Sequence, residues 1–448
     1  MNSDFNYKIL LILIIFFIAA PLLSISSMYV FQVLLILIAI YFFLKYKEPI
    51  FNAFSKPFIF SFCLMLSGFV ISLIFSYSIK SSISRLPIYL GFFLLLLSFY
   101  FIFKDKKIKL NLSVTYYLIF FIVICITSLV VFFYILYINS WSFSTVFLSR
   151  QTGHTQNSIA FAHIIAQCIF IMIFAIFKYF ESFEIEKSGI VTTYIFILFF
   201  ISFFTLVFLL FTSGSRIPIF AFKYLTLLLG LLLVVFIVKD KIYKQRKKFI
   251  YFFLIFLCLM GAFIFINNLS STSNAVYSNR LKQTTSLPFI MLDYIFHPQK
   301  ILEGEYTEIN FRTGAIYVSF QIIKQRFLTG TGPYAWRNYI WANKELKKYI
   351  KLNMTNGHND IFQVFSEFGF IYFIGYIFLL IYVFLKLLKL FLIKQNPSSF
   401  VLIILFIYYI FAGLTEFVSG HPYFGLYYWA FLGFSLAYSE KLTIQTSK

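Results

Sequence analysis

Four short segments carry the side chains that could do chemistry, and each is predicted to lie at the mouth of an apolar stretch. Arginine suits phosphate because its guanidinium is permanently charged and can bind two oxygens at once. Histidine suits proton transfer because it can take up a proton near neutral pH. The segments are Arg150-Gln-Thr-Gly-His154 with Gln156 and Asn157, Ser213-Gly-Ser-Arg216, Arg312, and Gly357-His358-Asn359-Asp360 with Glu367 further along.

Arg216 and Arg312 occupy positions where a cation costs free energy locally. Arg216 opens an apolar stretch on the predicted outer side, against the preference of cations for the cytoplasmic side. Arg312 opens a predicted helix, where a cation meets the positive end of the helix dipole. A bound phosphate would explain both positions. Anchoring to lipid headgroups or pairing with an acidic neighbour would explain them too, so the residues alone leave the choice open.

His358 is the candidate general base, and the alternative is a histidine that caps or packs a helix. Glu367 follows it by nine residues, which at about 100° per residue puts the two on opposite faces of an ideal helix. They are therefore not predicted to form an acid–base pair. Glu367 and Glu416 are predicted to lie inside the membrane, where a carboxylate needs a partner, and structural roles are expected for both. His163 is expected to form a hydrogen bond between helices, and His421 to cap the last span.

The composition indicates a membrane protein. Of the 448 residues, 61% are hydrophobic and only 12% are charged, which is about half the charged share of a soluble domain. Too few polar residues remain to cover a soluble fold, and a disordered chain would be far less apolar. The four cysteines lie in separate apolar stretches, which indicates neither a disulfide framework nor a metal site.

Apolar stretches long enough to cross a bilayer recur along the chain, since a spanning helix needs about 20 apolar residues. They predict an all-α polytopic membrane protein with about 12 transmembrane helices and one large periplasmic loop containing surface helices. The approximate limits of the spans are 8–26, 28–45, 57–77, 86–103, 115–137, 158–180, 190–212, 216–238, 249–267, 359–385, 398–418 and 422–439.

The distribution of cations predicts the orientation of these spans. With the N-terminus in the cytoplasm, 21 lysines and arginines fall in cytoplasmic segments. The short loops on the other side hold four cations, Lys80, Arg85, Arg150 and Arg216. The positive-inside rule therefore places both termini in the cytoplasm. The orientation of the spans then accounts for most of the net charge of +21, and a nucleic-acid partner is not expected.

The predicted organisation has four parts. Residues 1–267 form transmembrane helices 1–9, 268–357 the large periplasmic loop, 358–440 transmembrane helices 10–12, and 441–448 a cytoplasmic tail.

Two amphipathic helices are predicted inside the large loop. In Thr313–Leu328 the apolar residues recur at helical spacing, and Gly330 follows at a C-cap position. Asn338–Lys351 mixes apolar residues with lysines. Both helices are predicted to lie along the membrane surface. The residues on the apolar face of the first are Ile316, Phe320, Ile323 and Phe327.

Motifs of several other enzyme classes are absent from the sequence. No GxxxxGK[ST] phosphate-binding loop is present, so ATP is not expected as the energy source. No DxD pair or group of outer acidic residues has metal-ligand spacing, so neither a metal nor a cofactor is expected. A transferase of this kind would use arginines in place of a metal to stabilise a phosphate leaving group.

The order of these motifs resembles that of the O-antigen ligase and O-antigen polymerase superfamily of bacterial envelope enzymes. A large outer loop before the tenth of twelve spans is similar to the topology of that superfamily. The His-Asn segment with the downstream Glu-x-Gly is the most specific part of the match. Residues 1–110 match the superfamily only in their hydropathy. The matching segments are Arg150-Gln-Thr-Gly with Asn157, Thr212-Ser-Gly-Ser-Arg216, Arg312 with Gly330-Thr-Gly332-Pro, and Gly357-His358-Asn359-Asp360 with Phe362, Glu367-Phe-Gly369 and Gly375.

The resemblance implies a glycosyltransferase on the periplasmic face of the bacterial cytoplasmic membrane, with a glycan on undecaprenyl pyrophosphate as donor. Arg216 and Arg312, with Arg150, would bind the pyrophosphate, and His358 would be the catalytic base. Asn359 and Glu367 would support the site. A ligase would transfer the glycan to a sugar of lipid A–core, and a polymerase would transfer it to the next repeat unit. The long loop before the His-Asn segment favours a ligase.

A lipid-linked oligosaccharide flippase is the alternative from another functional class. Transporters of this type show repeated halves and buried charges along a path. This chain shows no similar halves, and its candidate intramembrane charges are Lys223, Glu367 and Glu416. The expected partners are therefore the glycan donor, the glycan acceptor and membrane lipids.

Overall fold

The structure is a computed structural model that describes most of the predicted spans and part of the large loop. Isolated positions 30, 32–37, 40 and 354 are also described. The Arg150-Gln-Thr-Gly-His154 segment with Asn157, most of the second predicted span and loop residues 272–307 lie outside the described residues. The described ranges are 3–23, 55–104, 114–142, 158–182, 189–239, 246–271, 308–350, 356–394, 397–414, 416–422 and 424–446.

The described residues form an all-helical fold, as predicted. Each apolar helix satisfies its own backbone hydrogen bonds, which is the requirement for crossing a bilayer. The helices are α1 Ser3–Leu23, α2 Lys56–Ile74, α3 Ile79–Lys104, α4 Val114–Ile138, α5 Ser158–Ser182, α6 Gly189–Thr212, α7 Arg216–Lys239, α8 Arg246–Ser271, α9 Glu308–Gln325, α10 Trp336–Ala342, α11 Lys344–Lys347, α12 Asp360–Lys394, α13 Pro397–Gly413 and α14 Phe424–Thr446.

Seven of the helices in the described part of the chain are long and apolar enough to cross a membrane. They are α2 to α7 and α12, and each overlaps a predicted span. Shorter apolar stretches lie in α1, α8 and α13. The chain is therefore a multi-pass membrane protein.

Several boundaries differ from prediction. Helix α12 runs to Lys394, beyond the predicted end at residue 385, and α14 runs to Thr446, into the predicted tail. Helix α13 ends at Gly413 and leaves Glu416 in the following turn, whereas the predicted span ran to residue 418.

Helix α12 is interrupted at Gly369, where φ is 74° and ψ is −177°. The interruption frees backbone groups, and the loop after α9 pairs with them. Thr331 N–H donates to the Ser366 carbonyl at 2.8 Å, and Gly332 N–H donates to the Glu367 carbonyl at 2.9 Å. The Gly330-Thr-Gly332-Pro motif therefore docks on the break in α12 and ties the loop to the membrane helix.

Only glycine fits at the two positions where this loop and α12 meet. Gly330 has a φ of 63°, and a Cβ there would lie 2.3 Å from the Glu367 carbonyl oxygen. A Cβ on Gly369 would lie 2.2 Å from the Leu328 carbonyl oxygen. Both the left-handed backbone and the close approach exclude a side chain.

The two loop helices predicted to lie on the membrane surface contribute residues to a small core of their own, and the predicted apolar face of the first helix lies outside that core. The second predicted helix is two helices, because the Asn343 side chain accepts hydrogen bonds from the Glu345 and Leu346 N–H groups and starts α11 anew. In the first helix Ile316 and Ile323 are buried, whereas Phe327 lies beyond the end of α9 and is 45% exposed. The residues of the small core are Ala315, Val318, Ile322, Trp336, Ile340, Leu346, Ile350 and Met354.

We expect Gly369→Ala to destabilise the protein by at least about 2 kcal/mol, because the new methyl group meets backbone in a left-handed conformation. Thermal unfolding of the purified protein in detergent measures this as a lower midpoint. Gly261→Ala on α8 is the matched control, since no heavy atom lies within 4 Å of its Cβ position. Equal midpoints for the two variants would contradict this account of the break.

Candidate functional site

One carboxylate joins three segments of the chain at one end of the helix bundle. Glu416 Oε1 accepts a hydrogen bond from Arg312 Nη2 at 2.7 Å. Its other oxygen, Oε2, lies 3.3 Å from His358 Nδ1. Arg312 comes from the first turns of α9, His358 from the turn before α12, and Glu416 from the turn after α13. The structure thus brings together two predicted site residues through a third that was expected to be structural.

The three side chains are shielded but reachable. Their exposed fractions are 17% for Arg312, 20% for His358 and 10% for Glu416. Partial exposure of this kind limits competing water and still lets a ligand reach the three side chains.

The backbone of His358 is held in a conformation that few side chains adopt. Its φ is 47°, in the left-handed region, and its N–H donates to Asn356 Oδ1 at 3.1 Å. Strained backbone of this kind persists only where neighbouring contacts determine it. The turn therefore presents the imidazole to Glu416 instead of continuing into the helix.

Asn359 fixes this turn against the turn that carries Glu416. Its Oδ1 accepts from Phe362 N–H at 3.1 Å, which caps the N-terminus of α12. Its Nδ2 donates to the Leu414 carbonyl at 2.9 Å. One side chain thus starts the helix after His358 and binds the segment before Glu416.

Asp360 makes a second tie between the same turns. Its Oδ1 accepts from the Ser419 N–H at 2.8 Å and from the Ser419 hydroxyl at 2.7 Å. Tyr376 donates its hydroxyl to the other oxygen of Asp360. The Gly-His-Asn-Asp motif therefore combines one partly exposed imidazole with two buried residues that set its position.

Gly357 connects the same turn to α9. Its N–H donates to Gln363 Oε1, and a Cβ there would lie 2.6 Å from Ser319 Oγ. Ser319 Oγ also accepts from Trp336 Nε1 at 2.9 Å. The His358 turn is thus packed against the small core of α9 to α11.

The charge of Glu416 is stabilised by its two partners. Burial raises the pKa of this carboxyl, but Arg312 and the hydrogen bond from His358 outweigh it and lower the pKa to about 2. Glu416 is therefore a carboxylate throughout the neutral range. Burial lowers the pKa of His421 to about 3, against the attraction of Glu416, so that His421 is neutral near pH 7.

His163 lies deeper in the bundle, on α5. Its Nδ1 lies 2.7 Å from the Tyr408 hydroxyl on α13, which confirms the predicted hydrogen bond between helices. His163 also interacts electrostatically with Glu416.

Glu367 lies on α12, nine residues after His358. It is fully buried, accepts from Gln363 Nε2 at 2.7 Å, and lies 3.4 Å from the Tyr89 hydroxyl. The Glu367 side chain therefore joins α12 to Tyr89 of α3.

The remaining predicted arginines are placed only in part. Arg216 is the first residue of α7, after a turn in which Gly214 has a φ of 62°. Its side chain and all of Arg150 lie outside the described residues. The backbone position places Arg216 at a helix N-terminus, where free N–H groups favour an anion.

The sequence did not predict that Glu416 contacts Arg312 and His358. The sequence did signal that its carboxylate needs a partner, but the predicted span placed it inside the membrane. Among the described residues, no group of three or more histidine, cysteine, aspartate or glutamate side chains is arranged to hold a metal.

The family model described as O-antigen ligase matches residues 201–377. This segment of the chain is similar to the O-antigen ligase family. The match confirms the resemblance to the O-antigen ligase and polymerase superfamily, and it supports a glycosyltransferase-like ligase or polymerase activity in general. It includes Arg216, Arg312, His358 and Glu367, whereas Arg150 and Glu416 lie outside it. No curated protein matches the chain.

We expect Glu416→Gln to lower stability at neutral pH by roughly 1–3 kcal/mol, because the amide cannot pair with Arg312 as a carboxylate does. Since folding lowers the pKa of Glu416 from 4.5 to about 2, the contribution of its charge is present above about pH 4.5. It is lost as the pH falls towards 2. Thermal midpoints of the two proteins should therefore converge on acidification.

Glu345→Gln is the control for that measurement, since Glu345 pairs with Lys348 but is 80% exposed. An exposed pair of this kind contributes little, so its midpoint should follow the wild type at every pH. A Glu416→Gln protein as stable as the wild type at pH 7.5 would show that the carboxylate does not hold the site together.

Proposed function

We propose that the protein is an O-antigen ligase that transfers a glycan from undecaprenyl pyrophosphate to a sugar of lipid A–core. The observation that carries the proposal is the link Arg312–Glu416–His358, which sets a phosphate-binding side chain and a proton acceptor side by side. The O-antigen ligase match over residues 201–377 supports the reaction class. The proposed location is the cytoplasmic membrane with the active face towards the periplasm, supported by the cation asymmetry.

The proposed reaction is a single displacement at the anomeric carbon of the donor. The acceptor hydroxyl oxygen forms the new bond to that carbon while the bond from carbon to the pyrophosphate oxygen breaks. The electron pair leaves with undecaprenyl pyrophosphate, and attack from the opposite side inverts the configuration. The bond energy is carried by the donor, so the step requires no nucleotide.

His358 accepts the proton of the acceptor hydroxyl in this scheme. A carboxylate is only an acceptor, so the contact between Glu416 and Nδ1 places the ring proton on Nδ1. In this tautomer Nε2 is the ring nitrogen that can accept a proton. Glu416 also stabilises the imidazolium that forms, as a carboxylate does behind other catalytic histidines.

Arg312 stabilises the departing pyrophosphate. A guanidinium has five N–H donors, and Glu416 occupies Nη2, so further donors remain for phosphate oxygens. Arg216 is proposed as a second contact, because it stands at the N-terminus of α7. Arg150 is proposed as a third on the resemblance alone. Charges fixed in advance at the leaving group lower the barrier without needing a metal.

A polymerase of the same superfamily would use the same groups on a different acceptor. The residues proposed for catalysis and donor binding would serve either acceptor. The product distribution therefore distinguishes the two activities.

We expect His358→Gln to abolish glycan transfer and Arg312→Lys to reduce it at least tenfold, since lysine loses the bidentate geometry. Glu416→Gln should also reduce transfer, because the Nδ1 proton is no longer fixed. The measurement is a gel of surface polysaccharide from a deletion strain complemented with each variant. Lys386→Gln, near the opposite end of α12, is the control and should complement fully.

The gel also decides the acceptor. Long chains that vanish from lipid A–core and accumulate on undecaprenyl pyrophosphate identify a ligase. A core that retains a single repeat unit identifies a polymerase. An unchanged profile in the deletion strain would reject both and favour the flippase, while full complementation by His358→Gln would reject the proposed base.

A further inference from the structure

A strongly basic surface lies beside the proposed site. It consists of the end of α9 with the residue after it, helices α10 and α11, the turn between α2 and α3, and the first turns of α3; we call it the basic platform. Glu345 is the one acidic residue in residues 75–85 and 324–350, all of which the structure describes. The basic residues of the platform are Lys80, Arg85, Lys324, Arg326, Arg337, Lys344, Lys347 and Lys348.

Hydrogen bonds join the two halves of the platform. Asn338 Nδ2 donates to Ser78 Oγ at 2.9 Å and to Ser81 Oγ at 2.5 Å. Arg326 Nη2 donates to the Phe75 carbonyl at 2.9 Å. These contacts hold the α2–α3 turn and α10 together, so their cations belong to one continuous face.

Most of this positive charge is not neutralised within the described protein. Lys348 pairs with the exposed Glu345. The cations that form no ion pair with any described residue are Lys80, Arg85, Lys324, Arg326, Lys344 and Lys347. Like charges gathered on one face repel each other, and an anionic partner would relieve this repulsion.

Aromatic rings hold several of these cations in place without neutralising them. The Arg85 guanidinium lies 4.3 Å from the centre of the Tyr334 ring. Lys347 Nζ lies 4.2 Å from the centre of the Trp341 ring, and Trp341 is itself 43% exposed. A cation stacked on a ring keeps its charge. The platform thus offers positioned charges next to exposed flat rings, which suits a chain of sugars that carries anionic groups.

Helix α11 is poorly suited to a lipid surface. A helix that lies in a bilayer interface needs apolar residues on the face it presents. Leu346, the apolar residue of α11, is buried in the small core. The outward face of α11 is instead charged, with Lys344, Glu345 and Lys347 exposed. The partner is therefore expected to be a polyanion in water.

The platform begins next to the His358 turn. Trp336, the first residue of α10, donates to Ser319 Oγ, and the same Ser319 packs on Gly357. We propose that the platform binds the acceptor glycan, and that this acceptor carries carboxylate or phosphate groups. This inference rests on the proposed function, because it assigns one of its two substrates.

The test uses the full-length protein in nanodiscs of neutral phosphatidylcholine, with polygalacturonate as the anionic glycan and dextran as the neutral one. We expect polygalacturonate to bind at low salt and dextran not to bind. Lys344→Gln/Lys347→Gln should weaken the binding of polygalacturonate at least threefold and make it less sensitive to salt. The matched control is Lys386→Gln/Lys389→Gln, which removes the same charge from the other end of α12.

Three results would overturn the proposal: equal binding by the two double variants, equal binding of dextran, or binding that requires phosphatidylglycerol in the nanodisc. The last would identify an anionic lipid surface as the partner. His358→Gln separates this inference from the proposed function, since it should keep polygalacturonate binding while losing transfer. If His358→Gln loses transfer but neither it nor the wild type binds polygalacturonate, the platform alone is rejected. If His358→Gln binds polygalacturonate and transfers glycan normally, the catalytic site alone is rejected.

Discussion

The shared carboxylate of Glu416 is the interaction on which the proposed site depends. It pairs with Arg312 and with His358, and these partners come from segments 104 and 58 residues away in the chain. Burying a carboxylate or a guanidinium costs free energy unless a group of opposite charge is placed beside it. Each therefore requires the other. A pyrophosphate that approaches Arg312 meets a guanidinium already held in place by an anion, beside an imidazole whose tautomer the same anion determines.

The helix bundle makes this arrangement rigid through contacts that are not themselves catalytic. Asn359 and Asp360 tie the His358 turn to the segment from Leu414 to Ser419. The break at Gly369 lets the loop after α9 hydrogen-bond to α12, which fixes α9 and hence Arg312. A helix that breaks inside a membrane must satisfy its freed carbonyls with other protein groups. The glycine loop does so, which gives a physical reason for the Gly-Thr-Gly sequence.

The packing of the small core of α9 to α11 also determines the charge of the surface beside the proposed site. Because its helices turn their apolar residues towards each other, the outward face keeps its lysines and arginines. The same packing that positions Trp336 beside Gly357 thus sets a charged surface next to the proposed base. Donor and acceptor would then be recognised by different cations, the donor by the shielded Arg312 and the acceptor by exposed lysines.

The sequence by itself determined the membrane helices, because length and hydropathy are local properties and each helix satisfies its own hydrogen bonds. It also indicated Arg312 and His358 through residue type and motif order. The tertiary structure alone decided that Glu416 links them, since α13 ends at Gly413 and no local pattern specifies which distant turn meets α9. The structure likewise decided that the loop helices pack on each other, because amphipathic spacing specifies an apolar face but not the surface that covers it.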